Sequence, residues 1–360
     1  MIASQASRLI DQVAGIRQAL NEVGIHLTDM SRAGSLELGL ANQADLAHAV
    51  PDAESIGPVE IVRLEGPIRA RPVNRAAPGA SKFRYFLDGS QKSIPVGRID
   101  LDPIVAAFCA AGVLYRDDYG QPRLLGETLK VNKAWIVPTS SANDSTLRLV
   151  EELMALQAQV HNPFTTLDGI PLDVEVGNYD RTLRLAFDLA GKLRAREEQL
   201  LVDDWKIRLA EDDPDSWLVI DGPLRGDTHR AVGLVKSLHT QQLKDHEAVA
   251  LFNLPVGHRT TAFRYATASG AGTSHGKTMW YMRFWPAEGL DARHSLVRIE
   301  TNHEIQTTED VDEIASWLLA ERLPRATDDP RWPTLLYPIH YLERILKRRM
   351  AALTIGWPST

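Results

Sequence analysis

The chain has 360 residues, 44% of them hydrophobic and 24% charged, and its 40 Lys and Arg against 47 Asp and Glu leave a net charge of −7. That length supports a sizeable core, no run approaches ~18 consecutive apolar residues, and the N-terminus lacks a basic region followed by an apolar one, so neither a membrane span nor a secretory leader is expected. The single cysteine, Cys109, rules out an intrachain disulfide and a cysteine-based zinc site, in keeping with a reducing cytoplasm, and the acidic balance demands that any nucleic-acid binding use a local basic groove.

Residues 2–23 read as an amphipathic helix, with Ile2, Leu9, Ile10, Val13, Ile16, Leu20 and Val23 on one side, packed on its own domain or on a partner. Residues 41–58 are small and polar and close at Gly57-Pro58, which divides the chain into a helical and loop extension (1–58) and a main domain (59–360). Residues 59–64 alternate as a strand, and Arg63, Arg69, Arg71 and Arg75 follow among prolines and glycine as a loop-borne basic cluster. Lys82–Asp88, Ser93–Ile99 and Ile104–Tyr115 read as three strands of a meander, although the alanine pairs of the third also suit a helix. A strand over 129–137, a helix over Ser145–Val160 and a long helix or helix pair over Asp180–Arg208 come next. Strands are then expected at Ser216–Ile220, Val232–Leu238, Ala248–Leu251 and His258–Ala266, and a hairpin joins Thr278–Trp285 to Ser295–Thr301. Helices over Thr308–Arg322 and Tyr337–Leu353 complete the chain.

Two segments share one grammar. Phe86-Leu87-Asp88-Gly89-Ser90 and Leu218-Val219-Ile220-Asp221-Gly222-Pro223 each carry an apolar strand into Asp-Gly, which sets a carboxylate at a strand tip where the glycine lets the chain turn. One copy is a turn; two on neighbouring strands would make an oxygen-only cation site of the kind that suits two Mg²⁺ or Mn²⁺ ions and drives phosphodiester hydrolysis. Meander, helix, strand, further α/β elements and a C-terminal helix is the order of a ribonuclease-H-like fold, an α/β mixed sheet flanked by helices, here with an N-terminal helical extension and insertions. Such a fold needs an acid on the helix before the second aspartate. The apolar line Ala186, Leu189, Ala190, Leu193, Leu200 places Glu197 on the buried stripe and Glu198 beside Arg194 on the surface; a one-residue change of helix phase would exchange them.

With Lys236 downstream and Tyr337-Pro338 opening the last helix, these segments resemble the NurA nucleases from about residue 80 onward. The resemblance implies a metal-dependent DNA nuclease, a homodimer in the cytoplasm working with a HerA-type hexameric ATPase that pumps DNA toward it, in DNA repair or antiviral defence. It implies that Asp88, a glutamate before the second Asp-Gly, and Asp221 bind the metals, and that a histidine stands about two turns into the last helix. Here Arg344 or Ile345 stands near that place, so His340 or Glu343 is left to supply the C-terminal group, and a non-catalytic adaptor that regulates such an ATPase is the alternative reading. Lys236 could hold a phosphate, and Arg283, amid Met279–Trp285, could accompany aromatics that stack on bases, with Arg69 and Arg71 as further DNA contacts. Gly272–Thr278 lacks the four-residue spacing of a phosphate-binding loop, so ATP binding by this chain is rejected.

Overall fold

The computed structural model describes residues 8–25, 27–29, 61–77, 79–139, 144–174, 176–236, 243–265, 276–302, 304–324, 329 and 331–356. The expected loop over 41–58, and residues 272–275 of the segment Gly272–Thr278, lie outside them. The strands are β1 (Thr28–Asp29), β2 (Ile61–Arg63), β3 (Ala70–Pro72), β4 (Phe83–Ile99), β5 (Asp102–Arg116), β6 (Pro122–Leu124), β7 (Lys130–Ile136), β8 (Gln159–His161), β9 (Trp217–Asp221), β10 (Ala231–Val235), β11 (His258–Thr260), β12 (Phe263–Tyr265), β13 (Thr278–Arg283) and β14 (Leu296–Thr301). The main helices are α1 (Leu9–Glu22), α2 (Asp144–Ala155), α3 (Tyr179–Asp204), α4 (Asp245–Phe252), α5 (Thr308–Glu321) and α6 (Tyr337–Leu353), and a π-helical turn, Trp205–Leu209, extends α3. No helix among the described residues is long and apolar enough to cross a membrane.

The strands form one mixed sheet in the order β2-β12-β13-β14-β10-β9-β4-β5-β7-β8. At its centre β4, β5 and β7 are antiparallel, whereas β4, β9 and β10 are parallel. One face, carrying Phe86, Leu114, Val219 and Leu234, packs on α1, α2, α5 and α6 through Leu9, Leu153, Leu318, Leu342 and Leu346. The other, carrying Tyr85, Leu87, Leu218 and Ile220, packs on α3 through Leu201, Val202 and Trp205. The N-terminal helix therefore docks on its own domain.

Several expectations are corrected. The two expected strands 82–88 and 93–99 are one 17-residue strand, so Asp88-Gly89 makes no turn. The helix begun at Asp144 stops at Ala155 because Gln157 adopts a left-handed φ of 56°, and Val160 belongs to β8. Ala248–Leu251 is helical, within α4, whose first turn carries Asp245 and Glu247 where acids suit the helix dipole. Arg71 lies in β3 rather than a loop, near Glu65 (3.7 Å) and Asp312 (3.4 Å), while Arg69 precedes it with an exposed side chain. Both sit beyond β13, roughly 20 Å or more from β4 at ~4.8 Å per strand.

Arg283 is no DNA contact either. Its guanidinium is buried and donates to the carbonyls of Phe252, Leu254, Ala292 and His294 at 2.5–2.9 Å, and the aromatics Trp280, Tyr281 and Phe284 beside it are core. Replacing Arg283 with Met would leave these acceptors without their donor, so we expect the variant to lose about 3 kcal/mol or more of stability in urea unfolding. Unchanged stability would return Arg283 to the surface.

Candidate metal centre

Strand register brings the two aspartates together. Phe86 stands beside Val219 and Leu87 beside Ile220 across parallel β4 and β9, so the next residues are Asp88 and Asp221. Alternation points both toward the face covered by α6, the face that Phe86 and Val219 share. On its β9 side, β4 pairs with β9 up to Leu87 and with β1 at Gly97 and Arg98; among the described residues no strand pairs there in between. The site lies at this window, where β9 ends and β4 runs on.

Two glycines open the α3 face of the sheet. A Cβ on residue 89 would stand 2.2 Å from Glu198 Oε1, and one on residue 233 would stand 2.4 Å from the backbone nitrogen of Leu224. Gly89 thus admits the Glu198 carboxylate to the strand surface beside Asp88. Gly233 lets the loop after Asp221 fold over β10, where Leu224 joins the α3-face core and Arg225 reaches Glu198.

Around Asp88 the structure gathers three further carboxylates, those of Asp221, Glu198 and Glu343. Asp88 is buried and accepts, among the described residues, one hydrogen bond, from the Gly89 N–H at 2.8 Å. Asp221 Oδ2 is 2.6 Å from Lys236 Nζ. Glu198 accepts from Arg194 at 2.7 Å on one oxygen and from Arg225 at 2.8 Å on the other. Glu343 comes from α6, which packs against β4 and β5, and is bound by Arg331 and Lys347, each at 2.8 Å. Burial, then the neighbouring charge of Asp221, push the Asp88 carboxyl well above the usual carboxylate range; Lys236 opposes this, and Glu343 and Glu198 add to it. Burial also raises Glu198, against the pull of Arg194 and Arg225. Burial would raise Glu343 too, but Lys347 and Arg331 outweigh it and leave it below its ordinary value.

The helix acid is Glu198, not Glu197. Glu198 is 2% exposed, whereas Glu197 is half-buried and accepts from Asn132 Nδ2 at 3.2 Å. The expected stripe ended on Leu200, which is half exposed; Leu201, Val202 and Trp205 are buried in its place. These three lie three, four and seven residues beyond Glu198, and that spacing in the sequence carries the correct phase.

A second group adjoins the first. Asp329, His340 and Glu343 offer ligand atoms within 4.8 Å of one another and could hold a metal ion. Arg331 bridges its two carboxylates, and His340 Nδ1, buried and without a hydrogen bond, lies 3.8 Å from Asp329. Asp329, Arg194, Arg225 and Arg331 were not singled out from sequence; each lies in a stretch whose charges resemble any solvated surface. No family model matches the chain, and comparison with curated proteins finds no match.

Asp88 provides a test independent of catalysis. In chelator, a folded-state carboxyl raised above its unfolded value binds more protons than the unfolded chain, so stability falls as pH climbs from about 3.9 toward the raised value. Asp88→Asn keeps the shape and removes that loss. We expect it to melt above the parent at neutral pH, with the margin shrinking as pH falls toward 4. A variant that melts below the parent at neutral pH would make Asp88 a charge that the fold itself stabilises.

Proposed function

We propose that this chain is a divalent-metal-dependent DNA nuclease with a ribonuclease-H-like core. In this reading it processes DNA ends as a cytoplasmic, dimeric NurA-type partner of a HerA-type hexameric ATPase. The observation that carries it is the meeting of Asp88 and Asp221 on adjacent parallel strands, with Glu198 and Glu343 reaching them from helices on opposite faces. The central strand order β7-β5-β4-β9-β10, three antiparallel strands and then two parallel to the first, supports the fold.

The donor set fits hard divalent cations such as Mn²⁺ or Mg²⁺, because every donor is a carboxylate oxygen and Asp88 is a buried acid with one hydrogen bond and three acidic neighbours. When bound by Asp88, Asp221, Glu198 and Glu343, two such ions would supply an activated water and stabilise charge on the leaving oxygen. The chain's own part is positional. Two carboxylates sit on hydrogen-bonded strands, the helix acids are set by packing, and Lys236 offers an ammonium at Asp221 that a phosphate could share. Glu343 takes the C-terminal role, and His340 enters through the Asp329–Glu343 group beside it.

One observation favours the adaptor reading instead: Asp221, Glu198 and Glu343 are each already neutralised by basic side chains of the same chain. A cleavage assay on the purified protein, with and without the ATPase, separates the two. The nuclease reading expects cleavage with Mn²⁺ or Mg²⁺ and none in excess chelator. Asp221→Asn and Glu198→Gln should each lower the rate by orders of magnitude, while Glu197→Gln stays within about twofold, as a half-buried acid with one weak hydrogen bond would. Cleavage undiminished by chelator, or by both Asp221→Asn and Glu198→Gln, would sink the metal mechanism. A folded wild type inert under every metal and partner condition would leave the adaptor.

A further inference from the structure

In the arrangement described, the charge of Glu198 is already taken up by arginines. Its carboxylate is 3% exposed, and both oxygens are capped, Oε1 by Arg194 Nη1 at 2.7 Å and Oε2 by Arg225 Nη2 at 2.8 Å. The two arginines are its solvent side, 34% and 27% exposed. Release of one guanidinium would return to a cation the negative charge that the arginine neutralises. Each has somewhere to pivot from. Arg194 Nε also donates to Gln91 Oε1 at 3.2 Å, on the stretch of β4 that borders the window. Arg225 stands on a pinned loop: the Leu224 N–H donates to Glu300, Lys277 donates to the Leu224 carbonyl, and Thr228 donates to the Arg225 carbonyl at 2.9 Å. Its Nη1 also donates to the Ala195 carbonyl of α3 at 2.6 Å, a bond about which the guanidinium could turn away from Glu198 while the loop stays in place.

We propose that Arg194 and Arg225 are the phosphate-binding residues of the site, held on Glu198 in the resting protein and transferred to the DNA backbone when a metal ion takes their place on the carboxylate. Guanidinium groups suit both partners, since each presents paired acceptor oxygens to a planar fork. The exchange makes metal and DNA binding mutually dependent. A cation alone must displace an arginine into solvent, and DNA alone must strip one from a buried acid; together each provides what the other displaces. Linkage then requires that DNA raise metal affinity and that metal raise DNA affinity by the same factor.

This inference rests on the carboxylate cluster being a metal centre that takes DNA, and its test separates the two claims. Mn²⁺ binding to the full chain is measured by electron paramagnetic resonance, with and without a phosphorothioate DNA that resists cleavage. We expect the DNA to tighten Mn²⁺ binding by about tenfold, in the usual range of coupling between sites. Arg225→Gln and Arg194→Gln should bind Mn²⁺ alone more tightly than the parent and show coupling reduced toward onefold. Arg225→Lys, which keeps a charge able to move between carboxylate and phosphate, should retain most of it. Thermal melts of the same samples verify that each variant is folded. Failure of the wild type to bind Mn²⁺, or to bind the DNA, would overturn the nuclease reading and this inference with it. Binding of both with no coupling, or with coupling unchanged in both Gln variants, would overturn the arginine exchange alone.

Discussion

The carboxylate of Glu198 occupies the space where a side chain at residue 89 would be, and the layout of the centre follows from that close approach. It fixes the height at which α3 crosses β4. It forces the buried face of the helix to pass through an acid between Leu193 and Leu201, which only the two arginines make tolerable. It also lets the acids come from both sides of one sheet: Asp88 and Asp221 face α6, Glu198 arrives from the α3 side, and the two sets meet because β9 ends where β4 continues.

Charge in this centre is distributed unevenly, and the unevenness is informative. Three acids hold basic partners within 3 Å, and the fourth, Asp88, has a backbone N–H. A fold that only needed to neutralise buried acids could have given each its own cation, or replaced them with apolar groups at no loss of stability. Asp88 stands where burial and its acidic neighbours oppose ionisation, against the pull of Lys236. Groups with such shifted protonation concentrate at functional sites, and structural ion-pair networks produce them as well.

Much of the sheet was legible in the sequence, and the errors have local causes. The strands at 104–115 and 130–136 and the last helix were readable because apolar period and length agree, and Pro338 falls in the first turn of α6, where its missing N–H costs nothing. Asp88-Gly89 was read as a turn because the pair signals turns; here the glycine serves close approach inside a strand, a use that pattern alone does not distinguish. The apolar spacing of Leu156 and Val160 continued a helix that Gln157 ends. Ala248–Leu251 is too short for period to separate helix from strand. Of the site, the paired aspartates were visible because strand grammar repeats. The glutamate was missed by one position because the stripe was closed on Leu200 rather than carried on to Leu201, Val202 and Trp205. Arg225 lies 27 residues from Glu198, and nothing in its sequence links the two; Arg194 stands one turn from Glu198 and Arg331 two residues from Asp329, and such near pairs look like ordinary surface ion pairs.

The pairing of β4 with β9 has a further consequence, in time rather than in space. It closes a loop of roughly 130 residues, and parallel contacts of such separation form late, after the entropy of closing the loop has been overcome. Glu343 is delivered by α6, later still in the chain. A growing polypeptide carries Asp88 long before it carries the acids that surround it. No chain that stops short of residue 343 holds the whole cluster, so the four carboxylates can meet only after nearly all of the polypeptide has been made.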